Sequence, residues 1–173
     1  HPIKKNRAIA SGKISTKFAV FLSILLTSLS LFISFYIFPF LFLLIFLYGL
    51  IQVAYCLRLK QEPLFDILCI SSGFLLRALS GGVATDLFIS PWFILSVGTL
   101  ALFLAIEKRK AELRLSISKG VITRKVLKRY SLPLLLRLEN MVATSSFIMY
   151  SLWAAGPVTG GASTSLMMLT IPF

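Results

Sequence analysis

Four places in this chain carry residue types suited to handling phosphate. Lys4, Lys5 and Arg7 fall within four residues, and an arginine grips a phosphate through two parallel N–H donors. By charge alone the same cluster also serves as an anchor beside a membrane. Asp66 offers a carboxylate of the kind that holds Mg2+, a hard cation that combines carboxylates with phosphate oxygens. An acid in the first turn of a helix also complements its dipole, so both readings of Asp66 stay open. Arg77 sits among Leu75, Leu76 and Leu79, where a cation is costly unless it faces a cavity or a partner. The fourth place is Glu107-Lys-Arg-Lys-Ala-Glu-Leu113, in which Lys108 or Arg109 pairs with Glu112 across one helical turn. It reads either as a polyanion site or as a solvated helix end. Cys56 and Cys69 fit no metal-binding spacing and read as packing residues.

The elements that position these residues follow from the hydrophobic pattern. The chain has 173 residues, 57% hydrophobic and 14% charged, with a formal net charge of +12. That apolar excess excludes a water-soluble nucleic-acid binder. From Phe18 to Leu57 there is no charged residue and no His. A crossing takes about 20 apolar residues, so this window holds two, and it is far too long for a secretory signal. Pro39 divides it into a hairpin, with helices near 18–38 and 40–57. Residues 1–17 and 58–65 read as cytosolic segments. Pro63 opens a third helix with Glu62 as its cap, running to about Thr85, and Pro91 opens a fourth whose crossing reaches Ile106 and which Glu107–Leu113 continue past the membrane. These two form a second hairpin over 66–106. Residues 107–140 read as a basic cytosolic loop, with an interfacial amphipathic helix over Lys119–Arg137 on Val126, Leu127, Leu134 and Leu138. Met141–Ala155 is a further crossing, and a truncated sixth begins near Ser163. The expected fold is an all-α, polytopic membrane bundle in a single domain.

Orientation follows from Lys and Arg placement. Five precede the first crossing, Arg58 and Lys60 follow the second, and ten lie between Lys108 and Arg137, whereas the turns near Pro39, Asp86 and Gly156 have none. The positive-inside rule places the basic segments in the cytosol, and topology alone accounts for most of the charge. Arg77 is not explained this way. At 100° per residue, Asp66, Gly73 and Arg77 share one helix face, with Asp66 at the cytosolic mouth and Arg77 about 16 Å deeper. All four places therefore lie on the cytosolic side or on a face opening toward it, where water-soluble phosphate chemistry meets a membrane-borne substrate.

The order of motifs resembles the UbiA-type intramembrane prenyltransferase superfamily. His1-Pro2…Lys4…Arg7-Ala8-Ile9-Ala10-Ser11-Gly12 is similar to its HPxKxxRPIASG segment. Tyr55…Leu59-Lys60…Asp66 resembles the YSxxLKxxxxxD motif of its decaprenyl-phosphate phosphoribosyltransferase branch. Phe74-Leu-Leu-Arg77-Ala-Leu-Ser-Gly81-Gly-Val-Ala-Thr85, Ser90-Pro-Trp-Phe93 and Lys108-Arg109-Lys-Ala-Glu112-Leu follow in the same order. The resemblance runs from His1 to about Trp153. It departs at Ala8 (usually Pro), Cys56 (Ser) and Glu107 (often Gly).

The resemblance implies a nine-helix bundle with Mg2+ between two aspartate-rich cytosolic motifs. On that template the chain corresponds to the third helix through part of the eighth. The first aspartate motif would precede His1, so the chain is expected to be an interior piece, inactive alone. The implied reaction moves a 5-phosphoribosyl group from phosphoribosyl diphosphate to a polyprenyl phosphate at the cytosolic face of the inner (plasma) membrane, feeding cell-wall synthesis. Lys60, Asp66 and Arg77 are the expected catalytic residues, with Asp66 as the metal ligand. Lys4, Arg7, Tyr55, Lys60, Lys108, Arg109 and Glu112 are the expected substrate contacts: Tyr55 orients ribose or phosphate, Glu112 steadies the basic pair, and Arg77 organises the cavity or meets the lipid phosphate. One alternative is prenyl transfer from a prenyl diphosphate to an aromatic or other acceptor. Another is a non-enzymatic transporter or lipid scaffold, whose mark would be an inverted repeat; the sequence displays none.

Overall fold

The computed structural model describes residues 12, 14–119, 127, 129–156, 167, 168, 170 and 171. Among them there is no strand. Five helices follow one another: α1 Thr16–Ile37, α2 Pro39–Leu57, α3 Pro63–Ala84, α4 Pro91–Lys119 and α5 Leu132–Ala155, with a 3-10 turn, Leu59–Gln61, between α2 and α3. Four of them, α1 to α4, are long and apolar enough to cross a membrane. The chain is an all-α integral membrane bundle.

The chain divides into two compact units, His1–Leu43 and Leu44–Phe173. In the first, α1 starts where Ser15 accepts a hydrogen bond from Phe18 N–H at 3.2 Å, a side-chain N-cap. It ends at Phe38, which is extended ahead of Pro39. Proline clashes with a helical conformation in the residue before it, so the break falls where the sequence places it. The 22 residues of α1 span about 33 Å, enough for a hydrocarbon core of about 30 Å. Its side chains Phe21, Ile24, Leu25 and Phe32 are exposed, as expected of a helix whose solvent is lipid.

In the second unit, α3 and α4 form a hairpin. Its turn passes through Asp86, whose φ of 53° is left-handed, a region aspartate enters more readily than most residues. A Cβ on Gly82 would lie 2.0 Å from Ile89 Cδ1, so any other residue there would force the Ile89 side chain to move. Side chains from α2 reach α3 in antiparallel register. Tyr55 meets Asp66, and two turns back Tyr48 lies 3.5 Å from the place of a Cβ on Gly73. The packed core joins the start of α3, the second half of α4 and the start of α5: Ile67, Ala105, Ile106, Leu113, Leu127, Tyr130 and Leu135.

The expected boundaries differ most in the basic region. The fourth helix continues past Ile106, as expected through Leu113, and runs on to Lys119, 29 residues in all. That is about 43 Å, so some 13 Å projects beyond a hydrocarbon core. Glu107 with Lys110 and Arg109 with Glu112 are i,i+3 ion pairs that hold the charged segment helical. The helix α5 begins at Leu132, nine residues before Met141. It is absent from the four helices that qualify as spans among the described residues. Of the expected interfacial helix over Lys119–Arg137, residues 120–126 and 128 lie outside the described residues. Of its named face, Leu127 is buried in the core and Leu138 packs against that core, whereas Leu134 is exposed. Val126 lies outside the described residues, as does the sixth crossing apart from Met167, Met168, Thr170 and Ile171.

Candidate functional site

At the end of the bundle where α3 begins, four polar side chains form one network. Pro63 is the first residue of α3, its fixed φ suiting a helix start, and Asp66 lies in the first turn. Glu62 precedes the helix but makes no side-chain cap bond; its carboxylate instead accepts from Arg129 at 2.8 Å. Asp66 is fully buried. Its Oδ1 accepts from Tyr55 Oη at 2.9 Å and from Arg109 Nη2 at 3.0 Å. Its Oδ2 lies against Arg109 Nε in an ion pair. Arg109 is equally buried, and its Nη1 donates to Glu112 Oε2 at 2.5 Å. The guanidinium thus faces Asp66 with one edge and Glu112 with the other. Two buried opposite charges in direct contact are tolerable, here with Asp66 Oδ2 and Arg109 Nε meeting as an ion pair outside hydrogen-bond geometry; either charge alone would not be.

A second set of contacts fastens α5 beside this network. Lys110, nearly buried, pairs with Glu107 on its own helix and with Glu139 on α5. Tyr130 Oη donates to the Pro63 carbonyl. Burial pushes the Tyr130 phenol well above its ordinary value, and the nearby Asp66 charge adds to this, so the hydroxyl remains a donor. Sequence reasoning missed Glu139, Lys110 and Tyr130 as positioning residues. The 107/110 spacing was a legible signal, and Glu139 is a solitary acid in an apolar helix. Their meeting across helices required the fold.

Of the residues expected at the site, Tyr55, Asp66, Arg109 and Glu112 are brought together. Lys60, in the 3-10 turn ahead of α3, and Lys108, one residue before Arg109, are exposed at the same end of the bundle. Lys4 and Arg7 lie outside the described residues. Arg77 does not join them. It stands eleven residues along α3 from Asp66, about 16 Å, and lines a separate cavity. Asp66 as arranged does not fit a metal ligand, because it is buried and both its oxygens meet Arg109. Among the described residues no group of three His, Cys, Asp or Glu gathers as a metal site.

A multi-pass helical membrane protein with a buried acid–guanidinium centre beside exposed lysines is the class that fold and site define. Residues 1–173 match the UbiA prenyltransferase family. The chain belongs to that family. It is 40% identical over 154 residues to decaprenyl-phosphate phosphoribosyltransferase of Mycolicibacterium smegmatis, covering 89% of this chain and 48% of that protein. The protein of the same name from Mycobacterium tuberculosis is 36% identical, covering 89% of this chain and 51% of the relative. That from Corynebacterium glutamicum is 37% identical over 155 residues, covering 88% and 47%. The chain spans about half the length of the curated relatives it matches.

Proposed function

We propose that the protein is a transferase that moves a 5-phosphoribosyl group from phosphoribosyl diphosphate to a polyprenyl phosphate. The observation that carries this reading is the Tyr55–Asp66–Arg109–Glu112 network, set at the same end of the bundle as the exposed cations Lys60 and Lys108. The names of the relatives supply the substrate class. In the proposed step an oxygen of the lipid phosphate forms a bond to the anomeric carbon of the sugar. The bond from that carbon to diphosphate breaks, and its electron pair leaves on the diphosphate. The attacking oxygen is already anionic at neutral pH, so no general base is needed.

Charge gathers on the leaving group, and fixed cations placed to meet it lower the barrier. Lys60 and Lys108 are free to swing onto phosphate oxygens, whereas Arg109 is held by Asp66 and Glu112. Tyr55 stands where a phenol meets both the carboxylate and an arriving sugar or phosphate. Lys4 and Arg7 complete the proposed phosphate contacts. A requirement for Mg2+ belongs to the proposal and is tested by chelation; the steps assigned to these side chains do not pass through it. The basic segments are proposed to face the cytosol at the plasma membrane.

The test is to incubate the full-length protein in membranes with labelled phosphoribosyl diphosphate and polyprenyl phosphate. A labelled lipid product is expected. No such product, together with transfer from a prenyl diphosphate to an aromatic acceptor, overturns the reading in favour of prenyl transfer. No transfer of either kind by correctly inserted protein removes the enzyme reading.

A further inference from the structure

At the other end of the α3–α4 hairpin lies a cavity of about 580 Å³. Its walls include Arg77, Gly81, Phe88, Trp92, Phe93 and Trp153, contributed by α3, the turn after it, α4 and α5. Most of that lining is apolar, and Arg77 is its one charged member. The guanidinium is oriented by three contacts. Nε donates to the Gly73 carbonyl at 2.9 Å. The charge lies 4.8 Å from the Phe74 ring centroid and 5.5 Å from that of Tyr48, within cation–π range. None of these contacts is an acid, and no ion pair to Arg77 occurs among the described residues. The side chain is exposed.

An arginine in the middle of a membrane-crossing helix is disfavoured unless it meets an anion, a cavity or water. Here ring faces and one carbonyl orient it without neutralising it, and the guanidinium keeps N–H donors for an acceptor. Space for that acceptor is present. A Cβ built on Gly81 meets nothing within 4 Å. The two tryptophans of this chain, Trp92 and Trp153, both border the cavity, and tryptophan concentrates at the headgroup level of a bilayer. A cation set among apolar walls that include both tryptophans matches an amphiphile with a phosphate head and a hydrocarbon tail.

We propose that the cavity around Arg77 binds the phosphate head of an anionic membrane lipid, at a site separate from the Asp66 network. A bulk anionic phospholipid and a polyprenyl phosphate share this chemistry. The inference is independent of the transfer reaction, because its measurement needs no turnover.

Trp92 and Trp153 make occupancy readable. The full-length protein is reconstituted in phosphatidylcholine nanodiscs and titrated with phosphatidic acid brominated near the top of its acyl chains, following tryptophan quenching. Quenching at low mole fraction is expected. Arg77→Gln removes the charge, and Gly81→Leu fills the space while keeping the arginine. Each is expected to need roughly ten- to hundredfold more lipid, the range for losing a hydrogen bond to a charged group. Arg58→Ala, beside the 3-10 turn ahead of α3 and so at the other end of that helix, is expected to titrate like the unaltered protein. If Arg77→Gln fails to fold, Gly81→Leu carries the test. Displacement of the quencher by polyprenyl phosphate at comparable mole fraction identifies the isoprenoid as occupant; failure to displace it identifies bulk phospholipid. Equal titrations for the unaltered protein and Gly81→Leu, or equal quenching by brominated diacylglycerol, which has no phosphate, overturn the proposal.

Discussion

Replacing Asp66 by Asn tests whether the network is held by charge or by shape. The two side chains are nearly the same size, so packing is preserved and the charge is removed. In the native arrangement Asp66 takes hydrogen bonds from Tyr55 at 2.9 Å and Arg109 at 3.0 Å, with Arg109 Nε against its second oxygen. An Asn oxygen still accepts the first two. Its NH2 group, however, turns a donor toward Arg109 Nε, and the guanidinium becomes a buried cation with Glu112 as its remaining acid in this network. Removing one member of a buried ion pair costs about 3–5 kcal/mol. Glu112, 2.5 Å from Nη1 and 27% exposed, retains part of the compensation, which places the expected loss near the lower limit. About 3 kcal/mol is roughly a hundredfold in the folding equilibrium.

The reciprocal variant, Arg109→Gln, takes the buried cation from beside the carboxylate while Tyr55 still donates to it, and is expected to cost a comparable amount. The double variant leaves two neutral amides able to bond to each other. It should be less destabilised than the two single losses added together, with a coupling of about 2 kcal/mol. The measurement is equilibrium unfolding of the three variants and the unaltered protein in mixed micelles, with insertion verified separately. Strict additivity, or a single Asp66→Asn loss below about 1 kcal/mol, would refute the buried charge pair.

Other consequences are equally direct. Lys60→Ala is expected to abolish transfer while leaving membrane insertion and unfolding unchanged, since Lys60 is exposed; turnover at the unaltered rate removes it from the site. Chelating divalent cations in reconstituted full-length protein should stop transfer, with recovery on adding Mg2+; unaffected turnover refutes the metal requirement. The Tyr130 phenol titrates higher in the folded protein than its ordinary value of 10.0. Its contribution to stability is therefore fully present below pH 10 and lost as pH rises from there through the folded value. Melting temperature should fall over that alkaline window, and Tyr130→Phe should fall less steeply; parallel curves exclude the effect. Gly82→Ala drives a Cβ into Ile89 and should destabilise by about 1–3 kcal/mol. Gly81→Ala meets nothing and should be neutral or stabilising by up to about 1 kcal/mol.

Where sequence and fold agree, a strong local signal acts without a competitor. Pro39, Pro63 and Pro91 each begin a helix, because proline tolerates only the first turn and disfavours helix in the residue before it. The shared face of Asp66, Gly73 and Arg77 is also real in its effect. Tyr55 and Tyr48, two turns apart on α2, meet that face at Asp66 and at Gly73 and Arg77 respectively. What composition hid is the fate of the charged stretch after Ile106. Charge density reads as a solvated helix end running into loop when each residue is taken as solvated. Arg109 and Lys110 are instead buried, each matched by acids one turn away and by a third helix or strand of sequence far off: Asp66 lies 43 residues from Arg109, and Glu139 lies 29 from Lys110. Pairing at that distance has no periodicity from which to be read.

The buried pair also changes how the cations should be divided between two jobs. A motif of adjacent Lys108, Arg109 and Lys110 invites the reading that all three face the same anion. On a helix consecutive residues point about 100° apart, so they cannot. Lys108 is exposed, Arg109 turns inward to Asp66, and Lys110 turns to Glu107 and Glu139. Arg109 has already committed three nitrogens to carboxylates. A diphosphate could claim it only by displacing an acid from a fully buried partner, whereas Lys60 and Lys108 lose little by leaving solvent. In the proposed transfer the inward arginine is a positioning residue that fixes the spacing of α3 and α4, and hence of Lys60 relative to Lys108. Among the described residues, these outward lysines are the groups proposed to meet phosphate.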